Sequence, residues 1–330
     1  VLVAGTANRA AVRIVSRPLV ARPQLEQLAA KHGVTLVSVD DAAGMLREVD
    51  DADALWLWPA FYDAALAAAL ERNAARLRWL QLMTMGFDPL EQFGAPSTLT
   101  ITNAGDAYAP TVAEHAVTLL LALLRRVAPA VRNVADHRWD PALSSEVHTL
   151  NDAVVAVIGF GSIGREIAVR LRACGSRIIA VTRSGHSDPL ADEVVTVDSL
   201  PDVLARSDAV VVALPLTAQT RGLIDAAALA ALRPHAVLVN IARGGIIDQA
   251  ALDDALREGR LAGAGLDVTT PEPLPPADPL WDAPNVIITP HIAGYGGMVP
   301  ARRVLALIER NLLHALAGEE FEARITLAPR

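Results

Sequence analysis

Short runs of apolar, often β-branched residues alternate with longer Ala/Leu-rich stretches along the whole chain. That alternation predicts parallel strands covered by helices, the α/β class. In the first third the apolar runs fall at 11–16, 34–39, 54–58, 77–82 and 98–102, with helices such as 23–32 and 62–73 between them. A second series follows at 154–159, 177–182, 209–214, 236–241, 263–268 and 285–289. The helix joining the two series opens at Pro110, a residue that a helix start tolerates. Its continuation, TVAEHAVTLLLALLRR, is apolar on most of its faces and must be buried on several sides. A last helix, over about Ala301–Leu316, is too short to form a domain and returns to the first unit. The pattern divides the chain into a first domain, 1–103 with 296–330, and a second, 104–295, with no repeat or low-complexity tract.

At 330 residues there is material for two domains, each with its own core. A single cysteine, Cys174, excludes an internal disulfide and a cysteine-rich metal site, and no metal is expected. The net charge of -8 argues against a nucleic-acid or anionic-membrane partner, since either needs a concentrated basic face. Lys31 is the only lysine, which removes both the GxxxxGKS/T phosphate loop and a core lysine Schiff base. The central apolar run Ala116–Leu124 ends at Arg125 and Arg126, far short of the roughly 20 residues that a spanning helix needs. The opening residues lack a continuous apolar segment with a cleavage site, so the chain is expected to be unexported and cytoplasmic.

The second series carries the chemistry. Gly159, Gly161 and Gly164 form GFGSIG directly after the run VVAVI and directly before the helical stretch REIAVRLRACG. In that setting the first glycine permits a tight turn and the second lets the backbone approach a pyrophosphate. The third lets helix and strand pack closely, with helix N–H groups facing the anion. A purely structural glycine turn is the alternative. An acidic residue at the end of the next strand would accept from a ribose 2′-hydroxyl, but the chain has Thr182, Arg183 and Ser184 there. The guanidinium and the two hydroxyls could hold a 2′-phosphate, which favours NADP. If Arg183 is only a solvated loop residue, NAD binds instead.

Three polar residues follow later strands of the same series: Arg243 in NIARGG, Glu272 in TPEP and His291 in TPHIAG. At the carboxyl edge of one sheet they could converge on a substrate beside a nicotinamide ring. Reduction of a 2-oxo acid builds negative charge on the carbonyl oxygen, and a protonated His291 could supply the compensating proton. A nearby Glu272 would keep the imidazole charged, while Arg243 could grip the substrate carboxylate and polarise the carbonyl. Each has a plainer reading: His291 as a capping residue, Arg243 as a phosphate contact only, Glu272 as surface.

The segments VIGFGSIG, ALPLTAQTRGLID, LRPHAVLVNIARGGIIDQAAL, GAGLDVTTPEPLP and NVIITPHIAG, in that order, resemble the D-isomer-specific 2-hydroxyacid dehydrogenase family over most of the chain. The resemblance implies a Rossmann dinucleotide-binding domain inserted into a flavodoxin-like substrate domain, with Arg243, Glu272 and His291 as the catalytic set. It implies cofactor contacts at the glycine turn, including Phe160, Ser162 and Ile163, and at Leu214, Pro215 and Thr220. Further cofactor contacts are implied at Ile241, Ala242, Arg243, Asp267 and His291. A homodimer built on the cofactor domain is also implied, which would explain the apolar helix 111–124.

In the first unit, LRWLQLMTMGFDPL is similar to the family's substrate loop. Thr84, Met85, Gly86 and Phe87 would then offer backbone N–H groups to the substrate carboxylate, with Arg243 and His291 as the other substrate contacts. Trp58 is expected to wall the pocket as an aromatic does in glyoxylate and hydroxypyruvate reductases, the subgroup expected here. Formate dehydrogenases look similar but carry glutamine in place of Glu272. The chain departs from the family after His291, where Ile-Ala-Gly-Tyr-Gly-Gly-Met lacks the usual threonine, and at VVVALPLT, which lacks a common histidine. The expected activity is hydride transfer between NAD(P)H and a small 2-oxo acid to give a D-2-hydroxy acid. The rivals are a non-catalytic, corepressor-like dinucleotide sensor and an NAD-dependent dehydrogenase of another 2-hydroxy acid.

Overall fold

The structure, a computed structural model, describes residues 12–327. Most of the opening stretch read for an export signal, the first residue of the strand expected at 11–16, and the last three residues of the chain lie outside the described residues. The chain forms two compact units, Val1–Tyr108 with Gly296–Arg330, and Ala109–Tyr295. Strands β1 (Arg13–Arg17), β2 (Thr35–Ser38), β3 (Ala54–Leu57), β4 (Trp79–Leu82) and β5 (Thr100–Thr102) belong to the first unit. The second holds β6 (Val154–Ile158), β7 (Arg177–Thr182), β8 (Glu193–Thr196), β9 (Ala209–Val212), β10 (Val237–Asn240), β11 (Gly263–Leu266) and β12 (Val286–Ile288). A two-residue strand, β13 (Arg324–Ile325), returns to the first.

The first sheet runs β13-β5-β4-β3-β1-β2, parallel except for β13, which pairs antiparallel with β5. Without β13 this is the flavodoxin-like order 2-1-3-4-5. The period of two along each strand sorts the cores. Leu55, Leu57, Leu80 and Leu82 enter one apolar layer with Leu66 and Leu70. Ala54, Trp56 and Trp79 enter the opposite layer with Val304, Ile308, Leu312 and Ala315. Those last four lie on the returning helix Met298–Ala317, which starts three residues before the expected Ala301. Gly297, at φ 60°, precedes it and Gly318, at φ 78°, ends it. The buried Gln81 is satisfied within β4's neighbourhood: its Oε1 accepts from Thr102 Oγ1 at 2.8 Å and from Asn311 Nδ2 at 3.1 Å.

The second sheet runs β12-β11-β10-β9-β6-β7-β8 and every pairing in it is parallel. Strand order reverses between β6 and β9, giving the doubly wound 3-2-1-4-5-6 arrangement with one strand more. β9 and β10 are buried at every position, as continuous apolar runs covered on both faces should be. The helix Ala109–Leu124 packs against the helix Ser162–Ala173 and against β10 and β11. A side chain at Gly265 would stand 3.0 Å from Leu119 Cβ, so the bare backbone of β11 lets that helix lie close. Arg126, at φ 53°, then turns the chain into a second helix, Val127–Ala135, which the periodicity did not announce. β8 is a further addition to the expected strands: four half-buried residues beginning with Glu193 leave little apolar signal.

Candidate active site

The reversal of strand order opens at the end of β6, where GFGSIG turns the chain into the helix Ser162–Ala173. Gly159 adopts φ 97° and its N–H donates to the Val181 carbonyl at 2.9 Å. A side chain there would stand 2.7 Å from the Ala213 carbonyl and from Leu214 Cβ, and one at Gly164 would overlap the Gly159 carbonyl oxygen. One at Gly161 would meet nothing within 4 Å. Gly159 and Gly164 therefore serve packing, whereas Gly161 leaves bare backbone at a helix start whose first N–H groups have no helical partner. Phe160, Ser162 and Ile163 flank that opening. A diphosphate fits there sterically and electrostatically.

Thr182 closes β7, and its Oγ1 accepts from the Gly185 N–H at 2.9 Å, which folds the following turn. Arg183 and Ser184 are exposed at its tip. After β9, Leu214 and Pro215 begin a loop tied down by Thr220, whose Oγ1 accepts from the Thr217 N–H and donates to the Pro215 carbonyl, both at 2.7 Å. These segments and the glycine turn follow β6, β7 and β9, so all of them lie along one carboxyl edge.

Arg243, Glu272 and His291 follow β10, β11 and β12 on that same edge. Glu272 Oε2 and His291 Nδ1 are 2.8 Å apart, and Glu272 Oε1 accepts from the Thr269 N–H at 3.2 Å. Arg243 is anchored by its backbone. Its carbonyl accepts from Asn240 Nδ2 at 2.9 Å, and Nη1 donates to the Ala242 carbonyl at 2.7 Å. A side chain on the adjacent Gly244 would collide with the Thr269 carbonyl, so a bare glycine brings the β10 and β11 loops together. The hydrogen bond from His291 to Glu272 raises the imidazole pKa above its ordinary value; burial and the positive charge of Arg243 oppose this but do not cancel it. Burial pushes Glu272 up, yet the His291 hydrogen bond and charge, the Thr269 N–H and Arg243 hold its carboxyl below the usual range.

The arrangement can keep a proton on His291 to higher pH than a free imidazole would, with Nδ1 committed to Glu272 and Nε2 left to exchange it. Replacing Glu272 by glutamine removes the negative charge that favours imidazolium, while burial and Arg243 continue to disfavour it. The His291 pKa should therefore fall, and at neutral pH a smaller fraction of the ring should be charged. A proton NMR titration of the histidine Cε1 resonances measures this; an unmoved His291 midpoint would show that the pair is not coupled.

Asp267, one residue past β11, is 1% exposed. Its Oδ1 accepts from Thr289 Oγ1 at 2.6 Å and from the Ile292 N–H at 2.9 Å, its Oδ2 from the Ala293 N–H at 2.9 Å. Burial pushes this carboxyl up, but the bonds from His115, Thr289, Ala293 and Ile292 outweigh it and hold the group ionised. Its carbonyl also accepts from the His291 N–H at 2.8 Å. His291 itself sits at φ 53°, a left-handed conformation that costs a residue with a side chain on the order of 1 kcal/mol. Asp267 holds it there from both sides. Ile241 is buried and Ala242 half-buried just before Arg243. His115 and Thr289 were not singled out in the sequence; a histidine inside a helix otherwise apolar on most faces was the available signal.

In the first unit, Trp58 directly follows β3 and Thr84 to Gly86 follow β4, neighbouring strands whose carboxyl ends lie side by side. Trp58 is half-buried against the layer containing Trp56 and Trp79. The Thr84 and Met85 carbonyls accept from the Ala104 N–H and from Asn103 Nδ2. The N–H groups of Thr84, Met85 and Gly86 find no acceptor among the described residues.

Residues 117–293 match the model of the D-isomer specific 2-hydroxyacid dehydrogenase NAD-binding domain. The chain is 36% identical to a glyoxylate reductase of Thermococcus kodakarensis, covering 83% of each protein. It is 35% identical to a D-3-phosphoglycerate dehydrogenase of Mycobacterium leprae over 87% of its own length, and spans only 53% of that relative. Among solved structures, a D-isomer specific 2-hydroxyacid dehydrogenase family protein of Aeromonas salmonicida superposes with a TM-score of 0.84 at 27% identity, covering 96% of this chain and 99% of that one. No helix among the described residues is long and apolar enough to cross a membrane, and no cluster of metal-ligating side chains occurs among them.

Proposed function

The chain belongs to the D-isomer-specific 2-hydroxyacid dehydrogenase family, NAD(P)-dependent oxidoreductases acting on CH–OH donors, and we propose that it reduces a small 2-oxo acid of the glyoxylate or hydroxypyruvate type to the D-2-hydroxy acid with NADPH. The observation that carries this reading is the hydrogen-bonded pair Glu272–His291 on the same sheet edge as Arg243 and the glycine turn. A reduced nicotinamide bound at that edge supplies a hydride to C2 of the substrate. Arg243 binds the substrate carboxylate and faces the carbonyl oxygen as its charge grows, lowering the barrier electrostatically. His291 gives its Nε2 proton to that oxygen, and Glu272 compensates the imidazolium beforehand. In the oxidative direction the neutral ring accepts the proton.

The choice of NADPH rests on Arg183 and Ser184, exposed beyond Thr182 with no carboxylate where a ribose 2′-hydroxyl would need an acceptor. Rates measured with NADPH and NADH against glyoxylate, hydroxypyruvate and a phosphorylated 2-oxo acid test substrate and cofactor together. The wild type should prefer NADPH and the unphosphorylated acids, and Arg183→Asp should reverse the cofactor preference by at least about tenfold, the scale of losing one charge-assisted contact. A preference for NADPH that survives Arg183→Asp would refute the cofactor assignment, and turnover of the phosphorylated acid alone would refute the substrate class.

A homodimer through the cofactor-binding unit completes the reading. The helix Val127–Ala135 shows solvent a row of valines, Val127, Val131 and Val134, and Trp139 beyond it is 94% exposed. Apolar surface of this extent on one helix face is a mark of association. Sedimentation should give twice the chain mass for the wild type and a single chain for Val131→Asp/Val134→Asp; a monomeric wild type would end the dimer assignment.

A further inference from the structure

On the helix Ala109–Leu124, Glu114 and Thr118 face solvent while His115 turns its ring inward, with 19% of the side chain exposed. His115 Nε2 lies 2.9 Å from Thr289 Oγ1 and 3.4 Å from Asp267 Oδ1, and the threonine oxygen lies 2.6 Å from the same carboxylate oxygen. The order of protons in this cluster is determined. An ionised carboxylate only accepts, and the Thr289 hydroxyl has a single hydrogen, which at 2.6 Å goes to Asp267. Thr289 Oγ1 must then accept, so His115 Nε2 is the donor in either charge state of the ring.

We infer that His115 is a positioning residue for His291, acting through Thr289 and Asp267 to hold the strained turn that presents the imidazole. The two ends of Asp267 explain how. Its side chain ties down the Ile292 and Ala293 N–H groups, its carbonyl ties down the His291 N–H, and His291 between them keeps a left-handed backbone that it would otherwise leave. Without His115, Thr289 Oγ1 loses the donor that fixes its hydroxyl, which is then free to turn its proton away from Asp267. The carboxylate can then shift toward water, and the turn relaxes. The inference rests on His291 being the proton carrier.

Steady-state kinetics of His115→Leu, Thr289→Val and the double variant, run beside His291→Ala, test it. Thr289→Val keeps the volume and removes only the hydroxyl. Each single variant should lose between about tenfold and a hundredfold in kcat, the scale of a small displacement of a reacting group, with KM for NADPH within twofold of wild type. The double variant should fall no further than the worse single, because the two residues act as one relay. His115→Gln, whose amide nitrogen reaches the position of Nε2, and Thr289→Ser should both recover most of the rate. Wild-type kcat in the singles, additive losses in the double, or a glutamine no better than leucine would overturn the inference. If His291→Ala retains turnover, the proton-carrier reading has failed instead, so the two failures are distinguishable.

Discussion

Replacing His291 by alanine should lower kcat for 2-oxo acid reduction by about a hundredfold to ten-thousandfold, the range in which a positioned general acid contributes. NADPH should still bind, because the glycine turn, the Thr182–Gly185 turn and the Thr217–Thr220 loop are each closed by contacts that do not involve the imidazole. Fluorescence titration with NADPH separates loss of binding from loss of proton transfer. The wild-type pH dependence follows from the direction of the His291 shift. Glu272 raises the folded-state pKa, so the protonated ring needed for reduction is present at low pH and is lost as pH rises through that elevated value. Oxidation of the hydroxy acid, which needs the neutral ring, should rise over the same interval. Turnover in His291→Ala equal to the wild type, or a reductive profile that is flat from pH 5 to 9, would remove His291 from the reaction.

Much of this architecture was legible because its central strands are buried on both faces and therefore read as unbroken apolar runs. β6, β9 and β10 are such runs, and Gly159 directly follows the first of them. Elements whose stability comes from elsewhere were silent. β13 is two residues paired with the edge of an existing sheet, and β8 is a half-exposed edge beginning with a charge. The helix Val127–Ala135 follows a left-handed arginine that no periodicity reveals. For the site, residue type and position after a strand were enough to single out Arg243, Glu272 and His291. The contacts between loops were not readable, since the collision that forces Gly244 against Thr269 and the reach of His115 to Thr289 join residues of separate elements far apart in sequence, 174 residues in the second case.

Substitution of Arg243 by alanine should cost about a hundredfold to a thousandfold in kcat/KM for 2-oxo acids, the magnitude associated with losing a donor aimed at a developing oxyanion. Lysine should restore little of it. The guanidinium here is not a floating charge: Nη1 is hydrogen-bonded to the Ala242 carbonyl, and the backbone behind it is fixed by Asn240 and by the glycine contact at Thr269. A planar fork held this way can meet a carboxylate and a neighbouring carbonyl oxygen together, whereas an ammonium on a flexible stem supplies charge without that geometry. Substrate discrimination gives the sharper readout. The wild type should favour a 2-oxo acid over the matching aldehyde, and in Arg243→Ala that ratio should collapse, because the aldehyde never used the carboxylate contact. Arg243→Lys retaining wild-type kcat/KM would reduce the role to simple charge. A preserved ratio in Arg243→Ala would move carboxylate recognition to other residues.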